Sequence, residues 1–344
     1  MTHRAWMCTE LSADFSGLRL VQLPASPCPS GAVRVRVRAA ALNFPDLLMT
    51  QGKYQLKPPL PFVVGMECAG EVVELGAGVH TLALGDAVCF GAHGGAFAEE
   101  LVAPAMDVRP LPHGFSMAEG AAYGVTALTA WVALVRRGML QPGETLLVHG
   151  ASGGTGLAAV QLGRHLGATV IATGRSPPKL QAAREHGAHH LVVLDAPHRP
   201  DAPHAIAPGQ RPCAGMIGRV KALTGGAGAD VIFDPVGGDV FDASVHCIAW
   251  GGRLLVVGFA GGRIATIGSN LPLIKGFSVV GVRAGEYGRR DPERGLQNRQ
   301  AVDALAARGL FRPHIGARFA FEQAIDAFRA MADRRVAGKI VLEL

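Results

Sequence analysis

The sequence has 344 residues, 49% of them hydrophobic and 17% charged, with 46 glycines and a net charge of +6. This length exceeds what one core usually serves, so we expect two domains, and the apolar content excludes a disordered chain. Lysine and arginine are spread along the chain, and their densest cluster, RVRVR at 34–38, alternates with valine as a half-buried strand does. A net positive charge is by itself weak evidence for nucleic-acid binding, and the cations form no concentrated patch. We therefore expect no nucleic-acid partner.

The first 120 residues contain short strand-like runs separated by glycine and proline. These runs are AVRVRVRAAALN, ECAGEVVELG, DAVCF and AFAEELVAP. Short runs with frequent turn signals predict an antiparallel, partly barrelled β domain. From Ala118 the spacing of apolar residues becomes helical, in AEGAAYGVTALTAWVALVRRG, and this predicted helix ends at a glycine.

From Glu144 onward, strand and helix patterns alternate, which predicts a doubly wound parallel sheet. We predict strands at TLLVHG, TVIATG, HLVVLD, DVIFDPVG, GRLLVVGF and FSVVGV, and helices at TGLAAVQLGRHLG and PPKLQAAREHG. The interval 195–216 is rich in proline, histidine and alanine and is predicted to be an inserted surface loop. The irregular spacing of His190, His198 and His204 favours a solvated loop over a metal site.

The C-terminal part predicts two amphipathic helices and a final strand, in QNRQAVDALAARG and FEQAIDAFRAMADRRVAGKIVLEL. A closing strand after the nucleotide-binding sheet indicates that the chain returns to its first domain. We therefore assign residues 1–122 and 286–344 to a discontinuous catalytic domain. Residues 123–285 form the predicted dinucleotide-binding domain.

The cellular setting is inferred from cysteine usage and from the N-terminus. The six cysteines are scattered, with no CxxC pair, so reduced thiols are expected. The first residues, MTHRAWMCTELSAD, carry charges and no apolar core of a secretory signal. No apolar run approaches the ~18–20 residues that span a membrane. We expect a cytoplasmic protein with no membrane partner.

The strongest local signal is a glycine-rich turn between a predicted strand and a predicted helix. Such a turn brings the backbone and the helix N-terminus close to a pyrophosphate. Gly153 would permit this approach, and Gly156 would permit close packing of helix and strand. Ala151 replaces the first glycine of the GxGxxG pattern, and a turn without ligand is the alternative. The predicted cofactor-binding residues here are Ala151, Ser152, Gly153, Gly154, Thr155 and Gly156.

The end of the next strand selects the nucleotide. NAD sites usually carry an acidic residue there, about 20 residues after the glycine turn. This chain has Gly174, Arg175 and Ser176 instead, with Lys179 one helical turn later. An arginine can bind a 2′-phosphate through a charge-assisted pair, whereas a carboxylate would repel it. The sequence therefore predicts NADPH as cofactor; the alternative is that both cations are ordinary surface residues.

With this order of domains, the chain resembles the medium-chain dehydrogenase/reductase superfamily, and within it the zinc-free NADPH:quinone oxidoreductase branch that includes zeta-crystallin. The resemblance implies an α/β protein: a Rossmann doubly wound parallel sheet plus a discontinuous GroES-like, partly barrelled β domain. It also implies a homodimer through the sheet edge around FSVVGV. The segments that carry it are 42–76, 85–90 (GDAVCF), 94–104 (GGAFAEELVAP), 149–156 (HGASGGTG), 234–238 (DPVGG) and 338–344 (GKIVLEL).

The resemblance also concerns metal binding at PFVVGMECAGE (61–71). Zinc-dependent members place a cysteine near Asn43 and a His-Glu pair where this chain has Met66 and Glu67. A catalytic zinc site needs about three ligands, and Glu67 and Cys68, as neighbours on a strand, point to opposite faces. We expect no metal site. Glu67 is expected to be a structural or cleft-floor carboxylate, and Cys68 a buried, unreactive thiol.

The resemblance implies a proton donor and a nicotinamide neighbour. Related reductases present a tyrosine to the cleft from the loop that contains Tyr54 in this chain, and a phenol can donate a proton to a developing enolate or quinol oxygen. A packing role is the alternative, and Tyr287 ranks below Tyr54. Asn43 corresponds to an asparagine beside the nicotinamide that orients acceptor or cofactor.

Further cofactor contacts are implied by the same resemblance. Thr129 matches a threonine that bonds the carboxamide, and Lys339 matches a basic residue that can reach the cofactor phosphates. Purely structural roles remain open for both. The remaining implied contacts are Val236, Gly258 and Phe259.

The expected function is that of an NADPH-dependent, zinc-independent oxidoreductase that reduces quinones, by hydride or electron transfer, in the cleft between domains. Its partner would be a small-molecule electron acceptor. One alternative is a reductase of enoyl thioesters or other activated alkenes on the same scaffold. A second is a non-catalytic, crystallin-like protein that binds NADPH without turnover.

Overall fold

The computed structural model describes residues 2–91, 94–194 and 213–344. The chain forms two compact units: unit 1 is Met1–Val125 with Arg312–Leu344, and unit 2 is Thr126–Phe311. Residues 286–311 belong to unit 2, which corrects the prediction that they lie in the first domain. The reason is local packing, since Asn298 Oδ1 accepts hydrogen bonds from Trp131 Nε1 and Arg136 Nε within unit 2. His198 and His204 lie outside the described residues.

The N-terminal part of unit 1 consists of short strands, as their spacing predicts. Along strand β3 (Ala32–Ala41), the valines at 33, 35 and 37 are buried while Arg36 and Arg38 face solvent, so RVRVR is a half-buried strand. In chain order the elements are β1 (Thr2–Cys8), β2 (Leu18–Pro24), β3 (Ala32–Ala41), α1 (Phe44–Thr50), β4 (Phe62–Val63), β5 (Glu67–Leu75), β6 (Ala87–Gly91), β7 (Glu100–Pro104), a 3₁₀ turn (Ala105–Asp107) and β8 (Val108–Pro110).

The predicted long helix follows as α2 (Met117–Trp131), which continues as a π-helix (Val132–Arg137). By length and composition alone, Met117–Arg137 could cross a bilayer, which corrects the expectation that no segment reaches that length. However, 61% of its apolar window is buried inside the protein. A buried core helix passes the same test, so this segment is weak evidence for a membrane span.

Unit 2 is a doubly wound domain. In the described residues its sheet has six strands, each parallel to its neighbours, in the order β11 (His190–Val193), β10 (Thr169–Gly174), β9 (Thr145–Val148), β12 (Ala229–Asp234), β13 (Ile248–Val256) and β14 (Ser278–Gly281). The order reverses between β9 and β12, where Rossmann folds bind dinucleotides. The elements are β9 (Thr145–Val148), α3 (Gly154–His165), β10 (Thr169–Gly174), α4 (Pro177–Glu185), β11 (His190–Val193), α5 (Ala214–Leu223), β12 (Ala229–Asp234), α6 (Gly238–Ser244), β13 (Ile248–Val256), α7 (Asn270–Lys275), β14 (Ser278–Gly281), α8 (Ala284–Arg290) and α9 (Pro292–Ala307).

The chain then returns to unit 1, as the closing strand predicts. The returning elements are β15 (Ile315–Ala320), a 3₁₀ turn (Phe321–Gln323), α10 (Ala324–Ala332) and β16 (Lys339–Glu343). β16 pairs antiparallel with β3, which in turn pairs with β5. Phe97, Phe321 and Phe328 are buried in the core of this unit, and α10 contributes Ala324 and Ala327 to it. The predicted fold class is confirmed in both units.

Candidate active site

Three neighbouring strands of unit 1 bring together polar residues that are far apart in the sequence. Ala41, the last residue of β3, lies opposite Glu67 at the start of β5 and opposite Val341 on β16. Asn43 follows β3, and Lys339 begins β16. The side chains of Asn43, Glu67 and Lys339 are only 5%, 2% and 4% exposed. Such burial of polar groups is stable only where they satisfy one another.

These three side chains form a closed triangle, which we call the Glu67 network. The Lys339 ammonium donates to Glu67 Oε1 at 2.6 Å and to Asn43 Oδ1 at 2.7 Å. The Asn43 amide nitrogen donates to the same Glu67 oxygen at 3.0 Å. Glu67 Oε2 accepts the backbone N–H of Val125 at 2.9 Å. The network is electrically balanced, and its contacts set which end of the Asn43 amide faces the ammonium.

Asp46 connects the network to helix α1. Its Oδ2 accepts the backbone N–H of Asn43 at 2.8 Å, which caps the helix, while Oδ1 has no hydrogen-bond partner among the described residues. Burial raises the pKa of Asp46 to about 7, although the hydrogen bond from Asn43 and the charge of Lys339 act in the opposite direction. A second carboxyl group, at Glu67, adds to the rise. Asp46 is therefore a titratable group held inside unit 1.

Glu67 and Cys68, the first two residues of β5, occupy the structural positions that were predicted for them. Cys68 is fully buried, and desolvation raises the pKa of its thiol strongly, so the thiolate nucleophile is disfavoured there. Glu67, its neighbour, faces the network instead. Tyr54 is half-buried in the segment that follows α1, and the backbone N–H of Lys53 bonds Leu48 O at 2.8 Å. The catalytic role of Tyr54 stays a prediction.

In unit 2, the turn between β9 and α3 has the shape that a dinucleotide loop needs. A Cβ on Gly156 would lie 2.3 Å from Gly150 O, so the helix can approach the turn only with glycine at 156. The Ala151 N–H bonds Thr173 O at 3.0 Å, which ties the turn to β10. Gly150, which is not among the predicted cofactor-binding residues, has φ +56°, a conformation that favours glycine.

A buried histidine, directly before this turn, connects it to neighbouring elements of unit 2. His149 Nε2 lies 2.8 Å from Ser244 Oγ, whose hydroxyl donates to Val240 O, and Nδ1 lies 2.8 Å from Thr173 Oγ1. Because the serine proton is already used, Nε2 carries the ring proton. Burial lowers the pKa of His149 to about 3, so the ring stays neutral. Its only signal in the sequence is its position directly before the glycine turn.

The turn after β12 lies against the glycine turn at the point where the strand order reverses. Asp234 Oδ1 accepts the backbone N–H groups of Val236 and Gly237, and burial raises the pKa of Asp234 to about 6. A Cβ on Gly150 would lie 3.3 Å from Val236 Cγ2. Gly258 lies beside Pro235, and the Phe259 ring lies beside Gly237. The predicted residues from the turns after β9, β12 and β13 therefore gather at one edge of the sheet.

The residues expected to select the nucleotide lie at the same edge. Gly174 ends β10, and Ser176 occupies the N-cap of α4. Arg175 is exposed and forms no ion pair with a carboxylate in the described part of the chain. The pKa of Lys179 is lowered, first by partial burial and then by the nearby charge of Arg175. Two cations thus lie close together where an NAD site has an acidic residue.

Two predicted cofactor residues lie elsewhere. Thr129 is half-buried in α2, in unit 2. Lys339 lies in unit 1, where two of its three ammonium hydrogens are used by Glu67 and Asn43. The predicted contact of Lys339 with cofactor phosphates would rely on the third hydrogen. The Glu67–Lys339 pair itself was not predicted from the sequence, because no local pattern links residues 272 positions apart.

Comparison with known proteins identifies the family. Residues 29–113 match the alcohol dehydrogenase GroES-like domain, and residues 154–299 match the zinc-binding dehydrogenase domain. Quinone oxidoreductase-like protein 2 of Rattus norvegicus is 36% identical over 343 residues, which cover 99% of this chain and 92% of that protein. The chain belongs to the medium-chain dehydrogenase/reductase superfamily, in its quinone oxidoreductase branch.

Two further relatives extend this picture of the superfamily. The quinone oxidoreductase of Thermus thermophilus, solved alone and in complex with NADPH, superposes with a TM-score of 0.81 at 31% identity and covers 99% of this chain and 100% of that one. The pikromycin polyketide synthase component PikAII of Streptomyces venezuelae is 37% identical over 323 residues, 94% of this chain and 8% of that protein. The chain is thus a medium-chain oxidoreductase that uses a nicotinamide cofactor.

Residues 154–299 match a zinc-binding dehydrogenase domain, so the chemistry of the residues present decides whether this chain can bind zinc. Among residues 2–91, 94–194 and 213–344, no group of three or more His, Cys, Asp or Glu side chains could hold a metal ion. Beside Glu67, the position of a cation is taken by the Lys339 ammonium at 2.6 Å, and the adjoining donor is the Asn43 amide. This donor set does not fit the N, S and O ligands of a tetrahedral zinc site.

We expect that removing Lys339 destabilises unit 1. Lys339→Met would leave the Glu67 carboxylate buried without its counter-charge, which costs about 3–5 kcal/mol. The double variant Lys339→Met, Glu67→Gln removes both charges and should recover part of that loss. Arg329→Met, which breaks an exposed pair with Asp326, should cost less than about 1 kcal/mol. Denaturant unfolding of the four proteins measures this; equal stability of the two single variants would contradict it.

The raised pKa of Asp46 predicts a pH dependence of stability. Its value of about 7 in the folded chain lies above the unfolded value of 3.8, so between about pH 4 and 7 the folded chain holds a proton that the unfolded chain has released. The contribution of Asp46 is therefore full below pH 4 and lost as the pH rises through 7. Unfolding free energies of wild type and Asp46→Asn should converge or cross over this range; parallel curves would count against it.

Proposed function

We propose that this protein is an NADPH-dependent, zinc-independent oxidoreductase that reduces quinones. The observation that carries the proposal is the Glu67 network, which fills with an ammonium the place where the resembling zinc-dependent enzymes bind metal. An ammonium donates hydrogen bonds but offers no open coordination position to a carbonyl oxygen. The acceptor must then be activated by its own conjugation. Quinones meet this requirement, because their conjugated ring carries the added electrons.

The preference for NADPH rests on the cations at the end of β10. In this proposal, Arg175 and Lys179 would hold the 2′-phosphate, and the backbone of the turn from Ala151 to Gly156 would hold the pyrophosphate at the N-terminus of α3. Bound NADPH would supply the hydride. His149, neutral and buried, would keep the turn in place without adding charge beneath the phosphates.

Tyr54 is the proposed proton donor to the reduced acceptor. Its segment continues from α1, whose first turn is held by Asp46 and Asn43, and so by the Glu67 network. A rigid attachment at one end would present the phenol from a defined position while the rest of the segment admits the acceptor. Asn43, whose amide is oriented by Glu67 and Lys339, would act near the same acceptor.

A reductase of activated alkenes is the second candidate. An enoyl thioester is also activated by conjugation and needs a proton donor after hydride addition, so the same residues would serve. The 37% identity to part of a polyketide synthase component indicates that this scaffold also occurs within larger assembly proteins. An arginine-lined hollow in unit 2 favours this candidate further.

A test of the function combines turnover with cofactor choice. Wild type should oxidise NADPH with 1,2- or 1,4-quinones much faster than NADH, and the same assay with crotonyl-CoA tests the second candidate. Arg175→Ala should raise KM for NADPH about 10-fold or more and leave KM for NADH nearly unchanged, because only NADPH loses a charge-assisted bond. Arg184→Ala, at the far end of α4, is the matched control.

Two results would overturn parts of this proposal. An unchanged NADPH/NADH preference in Arg175→Ala would remove the cofactor assignment. Tight NADPH binding without reduction of any quinone, enone or enoyl thioester would favour the non-catalytic alternative over both enzymatic ones.

We also propose that the protein forms a homodimer through β14. This strand is the edge of its sheet, and its outer side pairs with no strand among the residues that the structure describes. Large apolar residues around it are exposed: Trp250 by 79%, Leu273 by 80%, Ile274 by 68% and Val279 by 38%. A Cβ on Gly276 would lie 2.8 Å from the Trp250 ring, so Trp250 and the turn after α7 form one surface. A second copy of β14 would pair the edge and cover this surface.

The dimer is tested by charging this surface. Leu273→Glu combined with Ile274→Glu should convert the dimer to a monomer, because two carboxylates would be buried in an apolar contact. Met106→Glu, at an 82% exposed methionine of unit 1, should leave the mass unchanged. Light scattering at micromolar concentration gives the mass; a monomeric wild type, or a charged variant that stays dimeric, would contradict the assignment.

A further inference from the structure

A hollow of about 300 Å³ lies in unit 2, away from the glycine turn. Its lining is dominated by charged side chains: Arg137, Arg283, Arg290, Arg294, Glu286 and Asp291. Four arginines against two carboxylates leave an excess of two positive charges. An open, concave surface of this charge is suited to an anionic ligand.

The hollow lies at the edge of the sheet where ligands bind in this class of fold. β14 ends at Gly281, Arg283 follows it, and Arg137 Nε donates to Gly281 O at 3.1 Å. The glycine turn after β9 and the turn after β12 occupy the same carboxyl edge. β14 lies two strands beyond β12, roughly 10 Å at normal strand spacing. Arg175 and Lys179 follow β10, on the opposite side of β9, so the hollow is separate from the proposed 2′-phosphate contacts.

The two carboxylates do not neutralise all four arginines. Glu286 accepts from Arg289 at 2.7 Å and from Arg290 at 2.8 Å, and these bonds lower its pKa to about 2. Asp291 lies 3.2 Å from Arg294. Arg283 reaches Glu286 only at 3.8 Å. Glu286 thus stays ionised at all physiological pH values and keeps its bonds to Arg289 and Arg290.

The remaining hydrogen-bond donors belong to Arg137 and Arg283. The terminal nitrogens of Arg137 have no acceptor among the described residues, since its one bond is made through Nε. Within the described part of the chain, the one ion pair of Arg283 is the long contact with Glu286. A guanidinium binds phosphate through two parallel N–H···O bonds, and two guanidiniums with spare donors can bind two phosphate oxygens or two phosphates.

We propose that this hollow binds the phosphate end of an acyl thioester of the phosphopantetheine type, whose alkene would be the hydride acceptor. This inference rests on the second candidate function and names its substrate class. The ligand would extend along the carboxyl edge of the sheet, with its phosphates at β14 and its acyl end toward the β12 turn. A quinone has no phosphate, so the hollow distinguishes the two candidate substrates.

Binding is tested on the full-length protein saturated with NADPH, so that the glycine turn is already occupied. Calorimetric titrations use CoA, 4′-phosphopantetheine and inorganic phosphate, at low and high salt. CoA or 4′-phosphopantetheine should bind more tightly than phosphate, and salt should weaken the binding. If CoA binds and 4′-phosphopantetheine does not, the natural ligand is an acyl-CoA. If CoA and 4′-phosphopantetheine both bind, an acyl group on a phosphopantetheinyl carrier protein also fits the hollow. Phosphate bound as tightly as both, or no binding, overturns the proposal.

Substitutions of the arginines that line the hollow test whether CoA binds there. Arg283→Gln and Arg137→Gln should each weaken CoA binding about 10-fold or more. Arg283 is an exposed side chain, so its replacement should not impair folding even if that of Arg137 does. Arg219→Gln, an exposed arginine on α5 with the same change of charge, is the matched control and should bind CoA as wild type does. CoA binding that is insensitive to Arg283→Gln overturns the proposal.

A kinetic comparison separates this inference from the proposed function. In Arg283→Gln, KM for crotonyl-CoA should rise about 10-fold or more, while KM for crotonyl-pantetheine, which lacks phosphate, should not. Quinone reduction by wild type without CoA binding would overturn the hollow alone. Arginine-dependent CoA binding without reduction of any acceptor would support the hollow and overturn the proposed function.

Discussion

The buried pair between Glu67 and Lys339 is the interaction on which unit 1 depends. It joins the first residue of β5 to the first residue of β16, across β3, and so connects the N-terminal strands to a segment that returns after the whole of unit 2. A buried carboxylate is tolerated only with a counter-charge and satisfied hydrogen bonds. The return of the C-terminal strand is therefore required by the charge of Glu67 as well as by the apolar packing of α10 and β16. Asn43, and through it helix α1, is then held by the same pair.

The sequence predicted the fold where local patterns suffice. Alternation of strand and helix from Glu144 predicted the parallel sheet, and RVRVR predicted a strand buried on one face. The glycine turn was found for the right reason at Gly156, since its Cβ would collide with Gly150 O. Gly150 and His149 were missed, because their importance depends on a backbone angle and on Ser244, which lies 95 residues away. Neither property has a local signature.

The sequence predicted which residues belong to the candidate site, but it did not predict the contacts among them. Period-two alternation on a strand correctly separated Glu67 from Cys68, one facing the network and the other the core. Lys339 was assigned to the cofactor phosphates by resemblance, and its pairing with Glu67 required knowing that β16 and β5 flank β3. The point at which the chain returns to the first domain was also misplaced, at residue 286 instead of Arg312, because α8 and α9 pack within unit 2 through bonds such as that from Arg136 to Asn298. Helical periodicity predicts an apolar face and not the partner that covers it.

Replacing a metal ion by an ammonium changes what the site can activate. Both present positive charge beside a carboxylate, but a metal polarises a carbonyl by accepting its lone pair, whereas an ammonium can only donate a hydrogen bond. Two of the three hydrogens of Lys339 are already used within the protein. A simple alcohol or ketone, whose reaction develops full charge on one oxygen, would gain little from such a site. Quinones and conjugated thioesters spread the charge over several atoms, so they need less stabilisation at any one of them. The chemistry of the Glu67 network thus supports the proposal that the electron acceptor is conjugated.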